Sequence, residues 1–185
     1  MYQPWPRKLG HYSPLRVVVC SWITFIIFNV TPLSASVTDV EVYFSPNGGA
    51  TDAVVAEINR AQRKVLVQAY TFSSVPIANA LVVAKSRGIA VEAILDKSNL
   101  KEGYSSITFL ENAGIPVYID DRVKIAHSKI MIIDDSEVIT GSFNFTNAAE
   151  THNTENLIIL KNDPEIVAKY LKNYEWRLSL SYLTH

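Results

Sequence analysis

From Val40 to Lys161 the chain switches repeatedly between short β-rich runs and segments of helical period, and that alternation limits it to the α/β class. Val40–Ser45 alternates apolar and polar residues as a half-buried strand does, and Asn47-Gly48-Gly49 breaks it. Thr51 is placed to cap a helix whose apolar face is Val54, Val55, Ile58 and Ala61. Lys64–Tyr70 reads as a strand. A helix capped by Ser73 or Ser74 follows, with Pro76 in its first turn and Gly88 at its end. Ile89–Leu95 is a third strand, Ser105–Asn112 a short helix stopped by Gly114, and Ile115–Ile119 a strand that Pro116 marks as an edge. Lys129–Ile133 and Glu137–Thr140 flank Asp134-Asp135-Ser136 as the arms of a hairpin. Glu155–Lys161 is a further strand. Asp163-Pro164-Glu165 opens a helix that carries Ile166, Val167, Tyr170, Leu171, Tyr174 and Leu178 on one face. The expected architecture is a mixed β-sheet flanked by helices on both faces.

The first 35 residues follow a different rule. Arg7, Lys8 and Arg16 precede an uncharged apolar run, Val17–Val30, which closes on Pro32, Leu33, Ser34, Ala35 and Ser36. A basic start, a short apolar centre and small residues after a helix breaker make residues 1–35 a secretory signal, with a retained N-terminal anchor as the alternative. A membrane span needs about 20 apolar residues, and this run is shorter. Residues 36–185 are then a single domain, periplasmic or secreted. The chain's one cysteine, Cys20, falls in the signal, so no disulfide staples the domain and its core must supply the stability. The whole chain has 17 basic and 18 acidic residues; without residues 1–35 the balance is 14 to 18, a net charge of -4. Bulk charge alone therefore argues against nucleic acid.

One stretch, His127 to Asn156, carries chemistry. Residues two apart on a strand face the same side, so His127 and Lys129 project together, and Ser142 and Asn144 share that spacing across the hairpin. If the arms pair, an imidazole, an ammonium, a hydroxyl and an amide converge: a nucleophile beside donors suited to phosphoryl oxygens. Glu155 follows on the next strand, where a carboxylate is placed to hold the imidazole in one tautomer. Asp134 has the opposite parity and sits at the turn, which suits a structural or subunit-contact carboxylate. Gly141 serves backbone shape. Arg122 and Lys124, ahead of the motif, are either phosphate-backbone contacts or an ordinary solvated loop. Tyr70 and Phe72 are expected in the core, with base stacking as the alternative. Tyr170, Tyr174 and Trp176 are expected to pack the terminal helix. His152 reads as a surface residue.

His127-x-Lys129, four residues, Asp134, six residues, Gly141-Ser142-x-Asn144 resembles the signature of the phospholipase D superfamily. TGSFNFTNAAETHNTEN, with VLVQAYTFSSVPIANAL and AKSRGIAVEAILD, looks most like its small secreted bacterial endonucleases. The resemblance implies the phospholipase D/nuclease-like fold and a set of roles. His127 attacks phosphorus and forms a covalent phosphohistidine. A second histidine protonates the leaving oxygen and then activates water. Lys129, Ser142 and Asn144 hold the phosphate oxygens, and Glu155 orients His127. Larger members carry two copies of the motif; this chain has one. Beyond the signal it has three histidines, His127, His152 and His185, of which only His127 sits among phosphate ligands. One imidazole cannot stand on both sides of phosphorus, so a twofold homodimer is expected to supply the second. Two such imidazoles resist joint protonation, which predicts a bell-shaped pH–rate profile.

No metal and no cofactor are expected, because Lys129 would repel a cation beside His127, Asp134 and Glu155. The function that follows is a metal-independent phosphodiesterase cleaving DNA and, as a second substrate, RNA. Its binding should be weak, steeply salt-dependent and concentrated at the subunit cleft, and no stable membrane association is expected once the signal is removed. Two alternatives stand beside it: a phospholipid phosphodiesterase, and a catalytically silent module that binds nucleic acid or phosphate.

Overall fold

A computed structural model describes residues 39–101 and 106–184, and among these described residues it places eight strands and five α-helices. The expected signal, residues 1–35, and His185 lie outside the described residues. The strands are β1 (Asp39–Ser45), β2 (Lys64–Ala69), β3 (Ala90–Asp96), β4 (Val117–Asp120), β5 (Lys129–Ile133), β6 (Glu137–Gly141), β7 (Glu155–Lys161) and β8 (Tyr182–Leu183). They form one sheet in the order β1-β7-β6-β5-β2-β3-β4-β8. The β2–β3 and β3–β4 pairs are parallel, as their helical crossovers require, and the remaining pairs are antiparallel. The sheet is the mixed α/β sheet that the pattern predicts.

Helices cover both faces. α1 (Ala50–Arg60), α2 (Val75–Ser86) and α3 (Ser106–Asn112) bury one face in a core that includes Val54, Ile58, Ile77, Leu81, Leu110, Met131 and Ile139. α5 (Pro164–Leu180) lies on the other face and packs Val167 and Tyr174 against Ile94, Ile132 and Val138. Asp163 starts it, accepting from the Ile166 amide at 3.0 Å. Tyr170 joins that contact, but Trp176 is 56% exposed and does not pack the helix; the Arg177 guanidinium lies 5.1 Å from its ring centroid.

Two local readings need correction. Thr51 does not cap α1. The residue before the helix is Gly49, and its amide and that of Thr51 both donate to the Glu150 carboxylate, at 3.0 and 2.7 Å. Glu150 belongs to α4 (Asn147–Thr151), a helix too short to show a period in the sequence. A carboxylate at a helix start accepts two orphan amides and meets the positive end of the dipole, which one hydroxyl cannot match. The second correction is the edge: Pro116 does precede an outer strand, but the two-residue β8 pairs with it through Tyr118 and Ile119.

At the end of the sheet opposite to Ser142, the core face turns polar. Glu57, Arg60, Glu137 and Lys161 line a cleft of about 440 Å³ with Ile133, Asp134 and Ser136. Lys161 donates to Glu41 and Glu57, at 2.8 Å each. Glu137 is buried and its Oε1 has no hydrogen-bond partner. Burial, and then the negative charge of Glu57, push the Glu137 carboxyl up to about 8. The folded chain therefore holds a proton that the unfolded chain releases near the ordinary carboxylate value. The folded state loses stability as the pH rises from about 5 to about 8. Thermal melts across that range should show a falling midpoint, and Glu137→Gln should flatten the slope and raise the midpoint at pH 8.

Candidate active site

The hairpin of β5 and β6 brings the motif together at one end of the sheet. Its turn is built by Asp134 and Asp135, both left-handed at φ 53° and 61°. Short polar side chains tolerate that conformation best. The Asp134 carboxylate accepts from the backbone amides of Gln62, Arg63 and Lys64, at 2.7, 2.7 and 2.9 Å, and so ties the hairpin turn to the start of β2. Burial opposes its charge, but those three amides outweigh it and hold the carboxyl below its ordinary range. Asp134 lies at the opposite end of β5 from Lys129 and plays no part in the cluster around His127.

At the other end, β6 stops at Gly141, whose φ of 143° disfavours a side chain. A Cβ there would stand 2.3 Å from the Asn156 carbonyl oxygen. Beyond it, Phe143 and Phe145 are buried and Ser142 and Asn144 are not fully so. The two phenyl rings thus anchor the GSFNF segment while its polar residues point elsewhere. Asn156 fixes Ser142: its amide donates to Ser142 Oγ at 3.0 Å, and its backbone oxygen accepts from the Ser142 amide at 3.1 Å. The hydroxyl proton of Ser142 stays available for a phosphoryl oxygen. Asn144 keeps a buried side-chain Oδ1 with no hydrogen-bond partner, an arrangement that costs about 1–3 kcal/mol; its Nδ2 is the atom able to donate to an anionic ligand.

His127 and Lys129 meet directly. The Lys129 Nζ lies 3.1 Å from His127 Nδ1 and donates to the His127 carbonyl oxygen at 3.0 Å. Lys129 is only 7% exposed, and burial lowers its pKa against the raising effect of the Glu155 charge. A cation kept in so dry a place interacts strongly with an incoming anion. The expected contact between Glu155 and His127 is not made. Glu155 Oε1 instead accepts from Asn153 Nδ2 at 3.1 Å, while Lys129 occupies the imidazole nitrogen that the carboxylate was expected to take.

Residues outside the motif complete the site. Asp96, buried at the end of β3, accepts from the Ala126 amide at 2.7 Å and so holds the segment that enters His127. Buried Asn99 donates to the carbonyls of Tyr70 and Asp96. Phe72 is in the core, stacked edgewise on Phe145, as expected of it. Tyr70 is not in the core: its ring lies 4.5 Å from the His127 ring. Sequence reasoning missed Asp96, Asn99 and Asn156: Asp96 and Asn156 end the stretches AKSRGIAVEAILD and TGSFNFTNAAETHNTEN without spacing that gives them a role, and Asn99 lies in neither. His152 is exposed and contacts Thr151; Arg122 and Lys124 are exposed as well. Among the described residues no group of three or more His, Cys, Asp or Glu is placed to hold a metal ion, and no helix is long and apolar enough to cross a membrane.

An imidazole, a desolvated ammonium and a free hydroxyl gathered at one sheet end define a site for phosphoryl chemistry. Comparison with known proteins gives the family. The model for the cardiolipin synthase, PLD-like domain matches residues 54–178. The chain is 43% identical over 147 residues to a phospholipase D of Rickettsia conorii, covering 80% of this chain and 72% of that one. It is 33% identical over 169 residues to the mitochondrial cardiolipin hydrolase of Xenopus laevis, covering 91% and 79%. Among solved structures, Nuc from Salmonella typhimurium, a phospholipase D family member, superposes with a TM-score of 0.76 at 36% identity, covering 80% of this chain and 99% of that one. NucT from Helicobacter pylori superposes at 0.73 with 26% identity and the same coverage. The chain belongs to the phospholipase D superfamily, with the fold of Nuc, and is a phosphodiester hydrolase.

Proposed function

We propose that this phosphodiesterase is a secreted endonuclease that cleaves DNA, with RNA as a second substrate, through a covalent phosphohistidine on His127. The observation that carries the chemistry is the 3.1 Å approach of the buried Lys129 ammonium to Nδ1 of an exposed His127 imidazole, which leaves the ring open to a substrate. With Lys129 donating to Nδ1, the neutral imidazole carries its proton on Nε2. An incoming phosphate competes for the Lys129 protons, and Nδ1 is then free to take the proton. Nε2 becomes the nucleophile. It forms a bond to phosphorus as the bond to the leaving oxygen breaks, and that oxygen takes a proton from a second imidazolium. Water then attacks phosphorus, gives its proton to the second imidazole and breaks the P–N bond. Lys129, Ser142 and Asn144 hold the phosphoryl oxygens, and fixed positive charge in place of a metal ion makes the reaction independent of divalent cations.

The second imidazole comes from the partner in a homodimer. A half-face of the sheet that the described helices leave uncovered supports this. α5 covers the β3–β6 part of its face and leaves Val40, Val42 and Phe44 of β1 53%, 49% and 66% exposed, in register with Leu160, Ile158 and Asn156. A row of large apolar side chains of this kind marks an association surface. It ends at Phe44, opposite the asparagine that fixes Ser142, so a copy seated there borders the site.

The segments around the motif favour nucleic acid over phospholipid through their likeness to the superfamily's small secreted endonucleases. The test incubates purified protein with plasmid DNA, RNA and phosphatidylcholine vesicles in excess chelator. DNA cleavage is expected, RNA cleavage at a lower rate and no release of choline, with specific activity falling on dilution as dimers separate. Choline release without DNA cleavage would replace this reading by the phospholipid one.

A further inference from the structure

We propose that Tyr70 is the positioning residue of this site, its ring face holding the His127 imidazole and the Lys129 ammonium in their working arrangement. The ring centroids of Tyr70 and His127 are 4.5 Å apart at an interplanar angle of 50°, and Lys129 Nζ lies 5.1 Å from the same Tyr70 centroid. One aromatic face therefore borders both groups that the reaction needs. Contact on that side limits how the imidazole can turn about its own side-chain axis. A cation within about 6 Å of a ring centroid is held by the ring's quadrupole, and the more so when desolvated. Burial of Lys129 works against its charge; the Tyr70 ring and the Glu155 carboxylate work for it. His127 is the other titratable group in contact with it.

The backbone that carries the ring is itself held. Tyr70 leaves the end of β2 with its amide donating to the Ser128 carbonyl at 2.8 Å and its carbonyl accepting from Asn99 Nδ2 at 2.7 Å. Asn99 also accepts from the Phe72 amide, at 3.3 Å, and donates to the Asp96 carbonyl at 2.9 Å. Asp96 in turn holds Ala126, the residue before His127. The segment that bears the ring and the segment that bears the imidazole are thus braced to each other at two places.

This inference rests on His127 and Lys129 as the reacting and phosphate-holding groups, and not on which phosphodiester is cleaved. Its test uses bis(p-nitrophenyl) phosphate, which reports on the site whether the natural substrate is nucleic acid or lipid. Tyr70→Phe keeps the ring and Tyr70→Leu removes it. The Phe variant is expected to hold kcat within about threefold of the parent. The Leu variant is expected to lose about 10- to 100-fold in kcat and to shift the alkaline limb of its pH–rate profile to lower pH, as Lys129 gives up its proton more readily. Titration of the Lys129 side-chain nitrogen by NMR should show the same downward shift in the Leu variant alone, and this holds even for a protein with no turnover. A folded Leu variant with parental kcat and an unmoved Lys129 titration would overturn the proposal. So would a Phe variant as impaired as the Leu variant, since the hydroxyl and not the ring face would then be at work.

Discussion

Replacing His127 with alanine is expected to lower turnover by about 10⁴-fold or more while leaving the fold intact. The size follows from the role. On the proposed roles, Lys129, Ser142 and Asn144 still gather a phosphate when the imidazole is missing, so substrate affinity should change little. Without the nucleophile there is no P–N bond to form, and water has no positioned base in the first step. The fold should survive because His127 precedes β5, is exposed and contributes no core packing; the strand's core residues are Met131, Ile132 and Ile133, all buried. A melting midpoint within a few degrees of the parent, together with lost activity, is the expected pair of results. Retention of more than about 1% of the parental rate would remove His127 from the role of nucleophile.

The largest expected effect on stability lies elsewhere. Arg177, on α5, donates from Nε to Asp120 Oδ2 at 2.7 Å and makes further bonds to the same carboxylate from its terminal nitrogen. Both side chains are buried, with Asp120 only 1% exposed. Asp120→Ala leaves a guanidinium in the interior without its partner and should cost about 3–5 kcal/mol. For a chain of this size that corresponds to a fall of roughly 10 °C or more in the melting midpoint. Replacing both residues, as in Asp120→Leu with Arg177→Met, should recover most of the loss, because a buried pair offsets little more than its own desolvation. The pair also bears on the site. It fixes α5 to the end of β4, where the chain enters the segment leading to His127, and the Arg122 amide donates to Asp120 at 3.3 Å. The single variant should therefore lose activity at temperatures well below its melt. A melt unchanged in Asp120→Ala would show that the ion pair carries no such weight.

Most of the secondary structure was legible because its ends carry residues with one use. Pro76 and Gly88 bracket α2, Asp163 and Pro164 open α5, and the acidic turn at 134–136 closes the hairpin. The face-to-face division of the core was legible in the periods, since Val65, Val67, Met131 and Ile139 alternate with residues that meet α5. Contacts between distant segments were not. Glu150 caps a helix almost 100 residues earlier, β1 pairs with β7, and no local pattern announces either. The site divided in the same way. The motif names His127, Lys129, Ser142 and Asn144 through spacing, and the hairpin explains why that spacing recurs. Tyr70 and Asn156 act through space on motif residues, so their chemistry shows only once β2 lies beside β5 and β7 beside β6. Glu155 is the converse case. Its place beside the site followed from the strand order, but its partner did not, because Asn153 and Lys129 compete for the two groups that were expected to meet.

The central claim is that phosphorus passes through a bond to a protein nitrogen before water takes it. The stereochemical course at phosphorus tests this most directly, with a phosphodiester made chiral by sulfur and hydrolysed in isotopically labelled water. Two successive in-line displacements, first by His127 and then by water, predict overall retention of configuration. Net inversion would contradict the account, because it is the result of a single attack by water with no covalent intermediate.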